Sequence, residues 1–249
     1  MPDRSSFWPR AASFVAFLAV WQMGSLAVGS RQLPTPLSVL AVLWRGLLDG
    51  SIPYHIGVTL ARVAVSFTIA MLIGGAIGIA MGRSRRLDRF FDSWLILFLN
   101  VPAVVSTILC YVWFGLVETA AIAAVAVNKI PNVVVTLREG ARALNPDFLE
   151  MAQVYRLSRG KTLRHIILPE LSPFIVAAAR SGLALVWKIV LVVELLGRSN
   201  GVGFQIYSAF QNFDVPEILA YTIAFVAVIQ AIELVILRPL DRHANRWRR

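Results

Sequence analysis

The stretch Glu150 to Glu170, EMAQVYRLSRGKTLRHIILPE, contains Gly160-Lys161-Thr162, the tripeptide that ends a phosphate-binding P-loop. In a P-loop the backbone N–H groups of a glycine-rich turn cradle the phosphates and the lysine reaches the outer ones. The spacing Gly, four residues, Gly-Lys-Ser/Thr is therefore a requirement. Here Tyr155 stands where the first glycine belongs. The motif must also follow a buried strand and open a helix, whereas Met151 to Tyr155 reads as helix. The tripeptide is a coincidence, and no nucleotide site is expected in the chain.

Other covalent chemistry finds no support. An intramembrane protease or lipid-modifying transferase needs a nucleophile–base pair or metal ligands at membrane depth. His55, His165 and His243 fall near the ends of apolar runs with no ligand spacing, and Cys110 is the only cysteine. No catalytic, cofactor or metal residues are expected. What remains are charges within apolar runs: Arg62, Lys129, Arg180 and Lys188, with Glu194 and Glu233 as acids and Glu118 at an edge. At a bilayer centre each cation costs about 2.5–3.5 kcal/mol on insertion scales, so all must face protein or water. Structural pairing and lining a polar path are both open for each. Lys188 and Glu194, six apart on one helix, stand about 120° from each other and do not share a face. Arg62, Arg180 and Lys188, with Glu194 nearby, are candidates for lining a translocation path for a small anion.

The elements that must position these charges are membrane helices. Apolar residues make up 57% of the 249, and charged residues only 15%, against about 25% in soluble domains. Six runs approach the roughly 20 residues that cross a hydrocarbon core of about 30 Å: 11–29, 56–82, 93–116, 119–138, 173–196 and 217–238. Backbone groups in lipid must be satisfied within the segment, so helices are expected. The net charge of +10 is better explained by topology than by nucleic acid, whose binders gather bases on one soluble face with stacking aromatics. With the N-terminus inside, 17 of the 24 Lys and Arg fall in inner segments and three, Arg31, Arg45 and Arg198, in outer ones. That asymmetry fits the positive-inside rule and puts both termini in the cytoplasm. Arg4 and Arg10 before an apolar run ending Ala27-Val28-Gly29 resemble a signal peptide, but the run exceeds the usual 7–15 residues. It is read as a retained span.

The chain divides into 1–55, a first span with an external amphipathic segment; 56–240, the transmembrane domain; and 241–249, a basic cytoplasmic tail. Gly74, Gly75, Gly78 and Gly82 place small residues where helices approach closely. Pro131 is expected to kink the fourth span. Between spans four and five, Leu144, Phe148, Met151 and Tyr155 form one apolar stripe. Asn145 suits a cap and Pro146 the first helical position. Ser158 and Gly160 break the run, and a second short helix is expected to end at Leu168-Pro169. Its apolar face either packs on the chain's own spans or docks another protein.

Glu150-Met151-Ala152 followed by Ile167-Leu168-Pro169, nineteen residues from glutamate to proline, resembles the cytoplasmic loop of binding-protein-dependent ABC importer permeases. "LPTP" at 33–36, "MGRSRRLDRFFD" at 81–92 and "VVELLGRSNGVGFQI" at 192–206 are similar to the nitrate/sulfonate/taurine branch. The resemblance covers nearly the whole chain. It implies an all-α membrane protein of six transmembrane helices with a coupling-helix loop at about 139–168, working in a bacterial inner membrane. It implies as partners a second copy, a cytosolic ATPase dimer that holds the ATP and Mg, and an external substrate-binding protein. Phe148, Glu150, Met151, Ala152, Tyr155, Arg156, Leu157 and Gly160 would form the ATPase-coupling segment. The family's loop glycine falls at Arg156. Because that glycine serves a turn of positive φ, the turn is expected to have moved toward Ser158–Gly160. The competing reading, a channel or secondary transporter, needs no ATPase dock.

Overall fold

The computed structural model describes residues 7–29, 32–237 and 239; the expectations for Arg4, Arg31, Arg238 and the tail 241–249 lie outside these. The described residues form helices α1 (Phe7–Val28), α2 (Pro36–Leu48), α3 (Ser51–Arg83), α4 (Arg85–Asn100), α5 (Ala103–Phe114), α6 (Glu118–Arg142), α7 (Pro146–Val154), α8 (Arg159–Thr162), α9 (Leu168–Gly197), α10 (Val202–Gln211) and α11 (Val215–Ile232). Wide π-helical turns at Leu163–Ile167 and Glu233–Leu237 lead into α9 and out of α11. Four helical runs are long and apolar enough to cross a membrane: α3, α6, Gly160–Gly197 and Val215–Val235. A fifth is counted if α4 and α5 make one bent span, and the apolar part of α1, Ala12–Val28, is shorter.

The third expected span, 93–116, is not one straight helix. α4 and α5 meet at a 97° bend. Pro102 disfavours helical geometry at the residue before it, and Val101 is extended, φ −70° and ψ 123°. The fourth span continues through Pro131 as a single helix. The second loop helix does not stop at Leu168-Pro169 either. Leu168 N–H reaches back to the Leu163 carbonyl, a five-residue step that widens the turn. Pro169, which has no N–H to donate, then falls in the first turn of α9, and 38 residues run on as one rod from Gly160 to Gly197.

α3 and α6 lie parallel, because successive glycines of α3 advance along α6 in the same direction. Gly74 faces Ile130 and Val133, Gly78 faces Val134 and Leu137, and Gly82 faces Arg138 and Ala141. A β-carbon at Gly78 would stand 2.7 Å from the Val134 carbonyl oxygen. In lipid, such close backbone approach supplies the dispersion contact that holds helices together. The bent α4–α5 pair returns the chain between these parallel helices. The central core joins Val63 of α3, Tyr111 of α5, Ala121 and Val125 of α6, Val186 and Val190 of α9 and Phe225 of α11.

Polar belts close the bundle at both ends. At one end Arg62, Glu118 and Arg198 meet. At the other, Arg138 and Arg142 of α6 bind Asp88 and Asp92 at the start of α4, beside the basic cluster Arg83, Arg85, Arg86 and Arg89. Arg62 and Arg83 are twenty-one residues apart on one helix, about 32 Å at 1.5 Å per residue. That separation matches a hydrocarbon core of about 30 Å.

Candidate functional site

Two groups of side chains stand out, one in the Arg62 belt and one on the α7–α8 projection. Arg62 is 3% exposed and Glu194 fully enclosed. Arg62 Nη1 donates to Glu194 Oε1 (2.7 Å) and to the Asn200 carbonyl (2.8 Å). Its Nε and Nη2 grip Glu118 as a two-point fork at 2.6 and 2.9 Å, and Nη2 also reaches Asn200 Oδ1. Arg198 adds a second cation, 2.8 Å from Glu118 Oε2. Two arginines thus balance two carboxylates. A buried pair survives only when its remaining donors and acceptors are filled, and Glu194 Oε2 is filled by the Gly203 N–H and by Thr59 Oγ1, each at 2.9 Å.

Local sequence explains the fit. Gly201 takes φ 105° and lies so close to the Glu194 carboxylate that a β-carbon would overlap it. Glu194 therefore caps α10, whose N-terminal N–H groups have no side-chain cap from Gly201; a carboxylate there also meets the positive end of the helix dipole. His55 Nδ1 accepts the Gly201 N–H at 3.0 Å, and its Nε2 lies 2.6 Å from the Gln205 side-chain amide. The belt ties α3, α6, α9 and α10 into one unit.

The four path candidates separate. Arg62 and Glu194 are brought together and enclosed within the chain. Arg180 and Lys188 are exposed on α9, and Arg180 Nη2 lies 3.5 Å from Glu233 Oε1. Lys129 is 2% exposed and, among the described residues, has no hydrogen-bond or ion-pair partner. The sequence reading missed His55, Thr59, Asn200, Gly201 and Gly203 as members of the belt. The closely spaced glycines at 201 and 203, seven and nine residues after Glu194, were the available signal.

The α7–α8 projection is anchored at its base. Asn145 Oδ1 caps α7 through the Asp147 N–H (3.0 Å), and Asn145 N–H donates to Glu170 Oε1 (3.0 Å) at the start of α9. Leu144 is buried with Ala141, Ile167 and Leu171, and Ala152 is 4% exposed. Phe148, Met151, Val154 and Tyr155 face outward, with Val154 and Tyr155 more than 70% exposed. Glu150 is exposed beside them and Leu157 lies at the turn.

The turn has not moved to Ser158–Gly160. Arg156 itself sits in the left-handed region, φ 49°, while Gly160 is helical within α8 and Ser158 precedes that helix, its Oγ accepting the Lys161 N–H. Arg156 N–H donates to the Gln153 carbonyl and Leu157 N–H to the Ala152 carbonyl, both at 2.9 Å. These are the two crossed bonds of a Schellman cap, with arginine in the position glycine favours. The satisfied carbonyls hold the turn in place against a left-handed strain of about 1 kcal/mol.

The profile of the family described as "Binding-protein-dependent transport system inner membrane component" matches residues 68–249. The chain belongs to this family. Among curated relatives, a Bacillus subtilis (strain 168) protein designated an aliphatic sulfonates transport permease, SsuC, is 30% identical over 93% of this chain and 84% of its own. The taurine transport system permease protein TauC of Escherichia coli (strain K12) is 29% identical over 91% of this chain and 84% of its own. The bicarbonate transport system permease protein CmpB of Synechococcus elongatus is 30% identical, over 87% and 82%. The solved MetNI methionine ABC transporter in an inward-facing conformation matches 76% of this permease and 93% of the compared chain, with TM-score 0.65 and 18% identity, which bears on the fold alone. The relatives are transport permeases rather than enzymes.

Proposed function

We propose that the permease is the membrane subunit of an ATP-driven, binding-protein-dependent importer for a small anion, working by alternating access. The named cargoes of its relatives, aliphatic sulfonates, taurine and bicarbonate, support an anionic or sulfonate-bearing substrate. In this reading α1, α3, the α4–α5 pair, α6, α9 and α11 are the six spans, with both termini in the cytoplasm. The basic end around Arg83, Arg85 and Arg138 is cytoplasmic and the Arg62 belt external, which agrees with the positive-inside rule.

One observation carries the proposal: the α7–α8 projection turns Phe148, Met151 and Tyr155 outward at the basic end while Leu144 at its base packs into the bundle with Ala141, Ile167 and Leu171. A cytosolic ATPase dimer, holding ATP and Mg, would receive Phe148, Glu150, Met151, Tyr155, Arg156 and Leu157. Its closure would move the projection and with it α9. Rigid-body switching of a bistable bundle follows from that linkage. Arg180 and Lys188, exposed within α9, would line a wet path shared with a second copy, because intramembrane cations facing lipid are costly. Arg62 and Glu194 would instead hold the external ends of the spans. An external substrate-binding protein delivers the cargo.

The test is reconstitution with a cytosolic ATPase and a substrate-binding protein from the same organism. Wild type should retain the ATPase through purification and import anion only with ATP, and a Glu150→Ala/Tyr155→Ala variant should lose both. ATP-independent uptake, or an ATPase bound equally by the double variant, would remove the proposal.

A further inference from the structure

Among the described residues only two that are not glycine take a positive φ, Arg156 and Phe213. Each is the left-handed residue of a Schellman cap, since Asp214 N–H bonds the Ala209 carbonyl just as Leu157 N–H bonds that of Ala152. A left-handed position favours glycine by default; two backbone bonds can sustain a bulky residue there, but at a cost that goes uncompensated unless something requires its side chain. At Arg156 nothing inside the subunit does. The side chain is exposed and has no ion-pair or hydrogen-bonding partner among the described residues. Lys161 and Arg164, which follow the turn in sequence, are also exposed, while Asp147 and Glu150 on α7 form no ion pair with any of the three.

We propose that Arg156 occupies this strained position because its guanidinium pairs with a carboxylate on the ATPase surface that receives α7, so that the recess there is acidic opposite the α7–α8 turn. The inference rests on the importer reading and adds to it the charge of the partner's surface. Charge complementarity selects the occupant: an unpaired basic turn calls for acid, and the apolar Phe148, Met151 and Tyr155 on the same projection call for a protein recess around it. An arginine suits the place better than lysine, because its planar fork meets a carboxylate at two points and its charge persists on burial.

Three substitutions separate charge from strain. Arg156→Gly and Arg156→Asn both remove the charge and both tolerate a left-handed backbone. Arg156→Lys keeps the charge and the strain. Full-length permease in phosphatidylcholine nanodiscs, and in a second set containing phosphatidylglycerol, is titrated with the purified cytosolic ATPase used in the reconstitution, at low and high salt, and its melting temperature is recorded without ATPase. The glycine and asparagine variants should melt higher than wild type yet bind the ATPase about tenfold more weakly, corresponding to about 1.4 kcal/mol. That deficit should shrink at high salt. The lysine variant should melt like wild type and keep most of the affinity. Unchanged ATPase affinity in the glycine and asparagine variants overturns the proposal, as does a deficit seen only when the discs contain anionic phosphatidylglycerol, which would assign the guanidinium to the membrane surface. Failure of wild type to bind the ATPase at all sinks the importer reading itself.

Discussion

Gly182 of α9 faces the side chain of Lys129 on α6 so closely that a β-carbon at 182 would come within 2.6 Å of Nζ and nearer still to Cε. The missing β-carbon is the space the lysine stem occupies, midway between the two polar belts. Gly182→Ala should therefore destabilise the bundle by about 1–3 kcal/mol, the usual range for overpacking. Thermal unfolding followed by tryptophan fluorescence measures it. Lys129→Met, which removes a buried ammonium without an acceptor, should raise the melting temperature alone, while Lys129→Ala, which also removes the Cε that a β-carbon at 182 would strike, should recover most of the Gly182→Ala loss in the double variant. Additive effects of Gly182→Ala and Lys129→Ala would break the assigned contact.

Removing one member of the Arg62 belt leaves the others buried and charged. Arg62→Met should cost about 3–5 kcal/mol, the range for stranding a buried charge, visible as a lower melting temperature. Arg62→Lys should rescue little, because one ammonium cannot span Glu118, Glu194 and Asn200 together. A lysine variant as stable as wild type would show that the fork geometry is immaterial.

Two glycines of α3 should answer alanine with opposite signs. Gly78 abuts the α6 backbone, which cannot yield as a side chain can, so Gly78→Ala should lower stability. A β-carbon added at Gly57 would meet nothing within 4 Å, and Gly57→Ala should gain up to about 1 kcal/mol from helix propensity. Paired melting curves decide it; the same sign for both would contradict the parallel α3–α6 contact.

Uptake measurements should distinguish the α9 cations from the belt. Arg180→Gln and Lys188→Gln should slow anion import while leaving the melting temperature within a few degrees of wild type, since both side chains are exposed. Import at wild-type rate in the double variant would argue that α9 does not line the path.

Features set by local chemistry were legible in the sequence. Asn145-Pro146 opens a helix because the cap and the proline act within two residues, and the glycine spacing of α3 announces a close neighbour without naming it. The pairing of Arg62 with Glu194 was not legible: the two are 132 residues apart, and several acids were available. The bend between α4 and α5 escaped because hydropathy continues unbroken across Val101-Pro102. At Arg156 the inference failed for a different reason. Glycine's advantage at a left-handed cap is only about 1 kcal/mol, less than two well-formed backbone bonds can sustain.

The unbroken run from Gly160 to Gly197 spans about 57 Å at 1.5 Å per residue, with Glu194 close to its far end. Such a shaft transmits torque with little loss, and the widened turn at Leu163–Ile167, with Pro173 a short way on, is where it can yield. Under the importer proposal, a small twist applied at the Gly160 tip would be delivered to the latch that Glu194 forms with Arg62, making the two mouths of the bundle mechanically answerable to one another.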